Sequence, residues 1–207
     1  MRKILGHGLL WCVLLVTTPV FALTPEERLA AHLERLTSLE AYFEQELLDA
    51  RGQRLQRSQG ELRLLKPGRF YWATQHPFPE ILISNGETLW LYDPELAQVT
   101  VQSLDQRMAH TPALILSGEQ VDLSEDFSID YRRGVNEDRF ILKPLAQDSL
   151  FERLELTFRH EQIHSLVLED GLGQRTQVSL TVTSVNQPLD PEDFEFVIPA
   201  GVDIIQE

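Results

Sequence analysis

The chain has 207 residues, 43% of them hydrophobic, with 32 acidic side chains against 18 basic ones. That is apolar material for one ordinary core. A net charge of −14 argues against partners read through phosphates and against resting on anionic lipid.

Arg2 and Lys3 precede an apolar run at residues 9–16 that is far too short to span a bilayer. Val20-Phe21-Ala22 then places small residues where a signal peptidase reads. The expected reading is a cleaved secretory signal over residues 1–22; the alternative is an N-terminal membrane anchor. The single cysteine, Cys12, lies inside this segment, and Leu10-Trp11-Cys12-Val13 lacks the small residues of a bacterial lipobox. Residues 23–207 are therefore expected to form one soluble, unanchored, cysteine-free domain with a net charge of −16, and the periplasm is the natural destination.

Thr24-Pro25-Glu26-Glu27 predicts a helix start: an N-cap, a proline at the first helical position and acids in the first turn. Leu29, Leu33, Leu36 and Leu39 supply its apolar stripe. The period changes at residues 41–48, which predict a strand. Ala50-Arg51-Gly52 turns, and residues 55–65 are extended. Lys66-Pro67-Gly68 breaks the chain before a short aromatic strand at residues 69–73, and His76-Pro77-Phe78-Pro79 forms a rigid loop.

Residues 81–101, ILISNGETLWLYDPELAQVTV, predict a meander turning at Asn85-Gly86, where both residues tolerate positive φ, and again at Asp93-Pro94. Ile81, Ile83, Leu89 and Leu91 share one parity, yet Leu82, Trp90 and Tyr92 fill the other, so both faces of this sheet want cover. One or two short helices follow within residues 104–118, started by Thr111-Pro112 and stopped by Gly118; Ala113 to Leu116 is apolar all round. Strands resume at residues 127–131, 139–144, 154–159, 165–169 and 176–185. The tail, residues 194–198 and 202–205, holds one more strand and an apolar end. The expected fold is mainly β with helices: a curved antiparallel sheet forming an unclosed β-barrel, an N-terminal helix, and a helical lid over the concave face.

Chemical motifs are few. His160-Glu161-Gln162-Ile163-His164 matches the zinc-protease pattern, but the alternating leucines around it predict a hairpin with Glu161-Gln162 at its tip, where the helical condition for a zinc site fails. His32, His76 and His110 suggest no ligand set, and no nucleophile or phosphate loop is present, so neither a catalytic residue nor a metal nor a cofactor is expected. Phe70, Tyr71, Trp72, Trp90 and Tyr92 could stack nucleic-acid bases, which the charge disfavours. They read either as ordinary sheet core or as the lining of an apolar ligand site.

Residues 82–98, LISNGETLWLYDPELAQ, resemble the L-x-S-D/N-G-x-x-L-W-x-Y-D/N-P pattern of the periplasmic outer-membrane lipoprotein carrier (LolA) family. Residues 66–72, KPGRFYW, resemble its R-P-x-x-F-x-W. The Thr111-Pro112 insertion and Phe196-x-x-Pro199-x-Gly201-Val202 match in position. The resemblance implies an unclosed barrel whose cavity takes triacylated lipoproteins from an inner-membrane ABC transporter and passes them to an outer-membrane receptor. A monomer is expected, and the acidic charge argues against nucleic acid as a partner. The resemblance also implies that the residue before the motif proline latches the lid. Here that residue is Lys66 instead of arginine, which loses the planar fork of donors, with Arg69 as the alternative latch.

On this reading the acyl-chain lining is expected from Leu62, Leu64, Phe70, Trp72, Ile81, Ile83, Leu89 and Leu91, taken as one strand face. Leu114, Ile115 and Leu116 are expected to fill the empty cavity and move when cargo enters. Two other classes remain open: a carrier of another lipid or amphiphile, and a periplasmic enzyme built on His160 and His164.

Overall fold

A computed structural model describes residues 23–104, 112–117, 123–147, 149 and 151–206. The proposed signal, His110, Thr111 and Gly118 lie outside the described residues, as does the side chain of Leu114. The helices are α1 (Pro25–Glu34), α2 (Pro112–Ser117) and α3 (Leu123–Asp126). The strands are β1 (Ser38–Leu48), β2 (Arg54–Leu65), β3 (Arg69–His76), β4 (Glu80–Asn85), β5 (Thr88–Asp93), β6 (Gln98–Ser103), β7 (Phe127–Arg133), β8 (Glu137–Pro144), β9 (Arg153–Arg159), β10 (Gln162–Glu169), β11 (Arg175–Val185) and β12 (Asp203–Gln206). They form one sheet in the order β12-β6-β5-β4-β3-β2-β1-β11-β10-β9-β8-β7, left open between β12 and β7. Every neighbour is antiparallel except β12, which runs parallel to β6 and so departs from the all-antiparallel expectation.

Local chemistry explains the elements. Thr24 caps α1 reciprocally: its hydroxyl accepts from the Glu27 amide at 3.2 Å, and its own amide donates to the Glu27 carboxylate at 2.8 Å. The helix ends at Glu34, so Leu39 packs from β1 and does not extend the helical stripe. At the β4–β5 turn only Gly86 takes positive φ (99°). Asn85 instead uses its side-chain oxygen to accept from the amides of Glu87 and Thr88, at 3.0 and 2.9 Å. His160 and Glu161, at φ 49° and 66°, form the two-residue β9–β10 turn. The tip is thus one residue earlier than predicted, and the two histidines of the motif do not share a helix face. Residues 194–198 are not a strand: Pro191–Phe194 is a 3-10 turn, and an extended segment outside the sheet follows.

α1 shows that the sheet curls. Lys66, between β2 and β3, donates its Nζ to the carbonyl of Leu33 at 2.6 Å, while His32, one residue earlier, lies 3.2 Å from Asp138 on β8. β2 and β8 are five places apart in the sheet, about 24 Å if it were flat, yet one helix about 10 Å wide touches both.

Register separates the two faces. Antiparallel partners share a face, which groups Leu39, Ala41 and Phe43 of β1 with Leu62, Leu64, Trp72 and Phe70. On the far side of β1 the same concave face carries Leu180 and Val178, then Leu166, Leu156, Phe140 and Ile129. The opposite, convex face of these strands is polar and carries ion pairs such as Glu44–Arg57 at 2.7 Å and Glu137–Arg159 at 3.0 Å. Arg159 and Arg139 hold the Glu137 carboxyl below its ordinary range through their hydrogen bonds.

Beyond β3 the convex face turns apolar, with Ile81, Ile83, Trp90 and Tyr92. The C-terminal segment covers it: the 3-10 turn lies against β3 and β4, and the Phe196 ring sits 5.4 Å from Tyr92 and 6.4 Å from Trp90. The meander is apolar on both sides because protein covers each side.

Candidate apolar site and its latch

The concave face and the helices over it form one hydrophobic cluster. Leu29 and Leu33 of α1 and Ile115 and Leu116 of α2 join Leu62 and Leu64 on one half of the sheet, and Phe140 and Leu142 on the other. Leu116 has no exposed surface, although its helix is only six residues long. So short a helix has little stability of its own, and its position rests on burying these side chains. Phe43 stacks on Trp72 with ring centroids 4.4 Å apart. Gly60 makes room for the pair: a Cβ there would fall 1.9 Å from the carbonyl oxygen of Ala73 and 2.7 Å from the Phe43 ring.

Of the eight residues expected on one face, Leu62, Leu64, Phe70, Trp72, Leu89 and Leu91 do share the concave side. Ile81 and Ile83 do not. Phe70 pairs with Ser84 and Trp72 with Leu82, which leaves both isoleucines on the convex side with Tyr71 and Trp90. The sequence parity misleads here because every residue from Ile81 to Ile83 is apolar, so the pattern carries no information about facing. Phe70 and Leu89 are buried with Leu104 in a second, smaller cluster, against which Leu82 packs.

Sequence reasoning missed the other wall, from Ile129 to Val182. Part of the signal was present: β7, β9 and β11 alternate apolar and polar, so their inward residues can be read off directly, whereas Phe140 to Leu142 of β8 and Leu166 to Leu168 of β10 are apolar throughout. His32 was also missed. It packs on Phe158 at 4.4 Å and faces Asp138, whose other oxygen accepts from the Tyr131 hydroxyl at 2.5 Å. Burial, with that hydrogen bond, pushes the Tyr131 phenol above its ordinary pKa.

Lys66 is half-buried, and burial lowers its pKa although Glu34 pulls the other way. Its ammonium meets a carbonyl in the last turn of α1, where the helix dipole favours a cation. Arg69 instead reaches back to Pro67 in its own turn, at 3.4 Å. Among the described residues no three His, Cys, Asp or Glu side chains converge as metal ligands, and no helix is long and apolar enough to cross a membrane.

The sequence profile of the family described as "Outer membrane lipoprotein carrier protein LolA" matches residues 34–197. The chain belongs to the LolA family. Relatives named outer-membrane lipoprotein carrier protein are similar along nearly all of it. One from Azotobacter vinelandii is 45% identical over 205 residues, covering 96% of this chain and 99% of its own. One from Chromohalobacter salexigens is 42% identical over 203 residues, covering 95% and 97%. Among solved structures, a LolA superfamily protein from Nitrosomonas europaea aligns with a TM-score of 0.51 at 12% identity, over 84% of this chain and 99% of its own. An uncharacterized conserved protein from Thermus thermophilus aligns at 0.55 and 12%, over 87% and 99%. At such identities the likeness is one of fold. The LolA fold accounts for the unclosed sheet and for the helices on its hollow side.

Proposed function

We propose that this LolA-family chain is a periplasmic carrier that shields the acyl chains of lipoproteins on the concave face of its sheet and delivers them towards the outer membrane. The observation that supports this most is the plug. The apolar concave face has two walls, and side chains of separately attached helices, Leu29, Leu33, Ile115 and Leu116, pack onto it in one cluster with the sheet's inward residues. Acyl chains are chemically able to replace the helical side chains.

The energetics require such a device. Each methylene exposed to water costs about 0.8 kcal/mol, so three chains of roughly fifteen carbons cost tens of kcal/mol. An empty carrier faces the same problem in reverse, and Ile115 and Leu116 solve it by filling the hollow. Leu62, Leu64, Phe70, Trp72, Leu89 and Leu91, with Phe43 beside Trp72 and Phe140 on the other wall, are the proposed lining; Leu114 would join the plug. Lys66 is the proposed latch, holding α1 to the β2–β3 turn when no cargo is bound.

Residues 1–22 are read as the export signal, and the acidic surface, apart from them at −16, discourages adhesion to anionic membranes. The donor would be an inner-membrane ABC transporter and the acceptor a lipid-anchored receptor at the outer membrane, with the carrier acting as a monomer and without a catalytic step. Incubation of the purified protein with spheroplasts tests this. Membrane lipoproteins are expected in the supernatant, complexed with the protein. Mass spectrometry that found only free lipid or another amphiphile bound would replace lipoprotein with that cargo.

A further inference from the structure

Beside α1 the main cluster comes to the surface. A groove of about 440 Å³ opens between the last turn of α1 and the β9–β10 hairpin. Its floor includes Leu39, Phe158 and Ile163, which belong to the same cluster as the plug. Its outer edge is bridged by an ion pair, Arg35 at the C-cap of α1 to Glu161 at the hairpin tip, 3.3 Å apart and largely exposed.

His32 lines the same groove and is nine-tenths buried. Both oxygens of Asp138 accept hydrogen bonds, one from Tyr131 and one from His32 Nε2. In the neutral imidazole a carboxylate facing Nε2 holds the proton there, which is the tautomer whose Nδ1 can accept. That Nδ1 is shielded from solvent and has no partner.

Resting on the carrier reading above, we propose that this groove is the port through which the polypeptide of an acylated cargo leaves the hollow. An acylated protein is apolar at one end and polar from the first peptide unit onward. The junction needs a place where an apolar floor meets water, and it brings amide N–H groups with it. The groove supplies the floor, and His32 Nδ1 supplies an acceptor for one of those N–H groups once α1 shifts. The Arg35–Glu161 pair straps the port in the empty protein. An exposed pair is weak and screened by salt, so the strap parts readily when a chain must pass.

The mature chain has no cysteine, so Arg35→Cys with Glu161→Cys places the only two thiols across the groove. A reducible bis-maleimide joining them is expected to abolish loading of a detergent-presented lipoprotein while leaving uptake of a fluorescent fatty acid unchanged; reduction restores loading. Undiminished lipoprotein loading with the bridge in place overturns the port. Equal loss of both ligands also overturns it, because the bridge would then be stopping the plug itself. Failure of the unbridged wild-type protein to take up either ligand overturns the carrier reading, and the port with it.

Discussion

Leu116→Asp is expected to abolish lipoprotein loading and to convert the empty protein into one that binds hydrophobic dyes. Leu116 is fully buried and belongs to the cluster that spans both sheet walls. An unpaired carboxylate there costs several kcal/mol, more than a six-residue helix gains from its remaining contacts. The helix lifts, and the hollow opens to water. Sheet content by far-ultraviolet circular dichroism should hold, because the strand ladder does not pass through α2. The readouts are dye fluorescence and the fraction of lipoprotein recovered in soluble complex. Wild-type loading by this variant would show that α2 is ordinary packing and no plug.

Lys66→Met is expected to tighten cargo retention about tenfold and to slow transfer to an acceptor by a similar factor. The sign follows from where the contact exists. Lys66 donates to the Leu33 carbonyl with α1 packed over the concave face, so under the proposed latch role the bond favours closure and hence release. A charge-assisted hydrogen bond contributes about 1.5–3 kcal/mol when fully buried, and half-burial reduces this towards the lower end. Methionine keeps the apolar stem and removes the donor. Lys66→Arg should release as the wild type does. Transfer kinetics from a preformed complex measure the difference, and equal rates for the wild type and the Lys66→Met variant would remove the latch role.

Much of this architecture was legible beforehand, for identifiable reasons. Turn residues with special backbone demands placed most strand ends, because Gly52, Gly68 and Gly86 each occupy positive φ that other residues resist. The α1 cap was legible from Thr24 and Glu27 alone. What failed was facing. β3 to β5 are apolar on both sides, and only strand register, with Phe70 opposite Ser84 and Trp72 opposite Leu82, reveals that Ile81 and Ile83 look outward. The cover they require comes from a segment more than a hundred residues later, through Phe194 and Phe196, and no local pattern announces that contact. His32 was illegible for the same reason: on α1 it is one polar residue beside a leucine stripe, and its partner Asp138 arrives from a distant strand.

The central claim is that acyl chains occupy the concave face and no other. Residues 23–207 contain two tryptophans, and they report opposite faces: Trp72 stacks on Phe43 inside, while Trp90 packs near Phe196 outside. Single-tryptophan variants, Trp90→Phe and Trp72→Phe, loaded with a lipoprotein carrying brominated acyl chains, measure contact directly by fluorescence quenching. Strong quenching of Trp72 with Trp90 unaffected is the predicted result. Quenching of Trp90 while Trp72 stays bright would place the chains on the wrong side of the sheet and contradict the account.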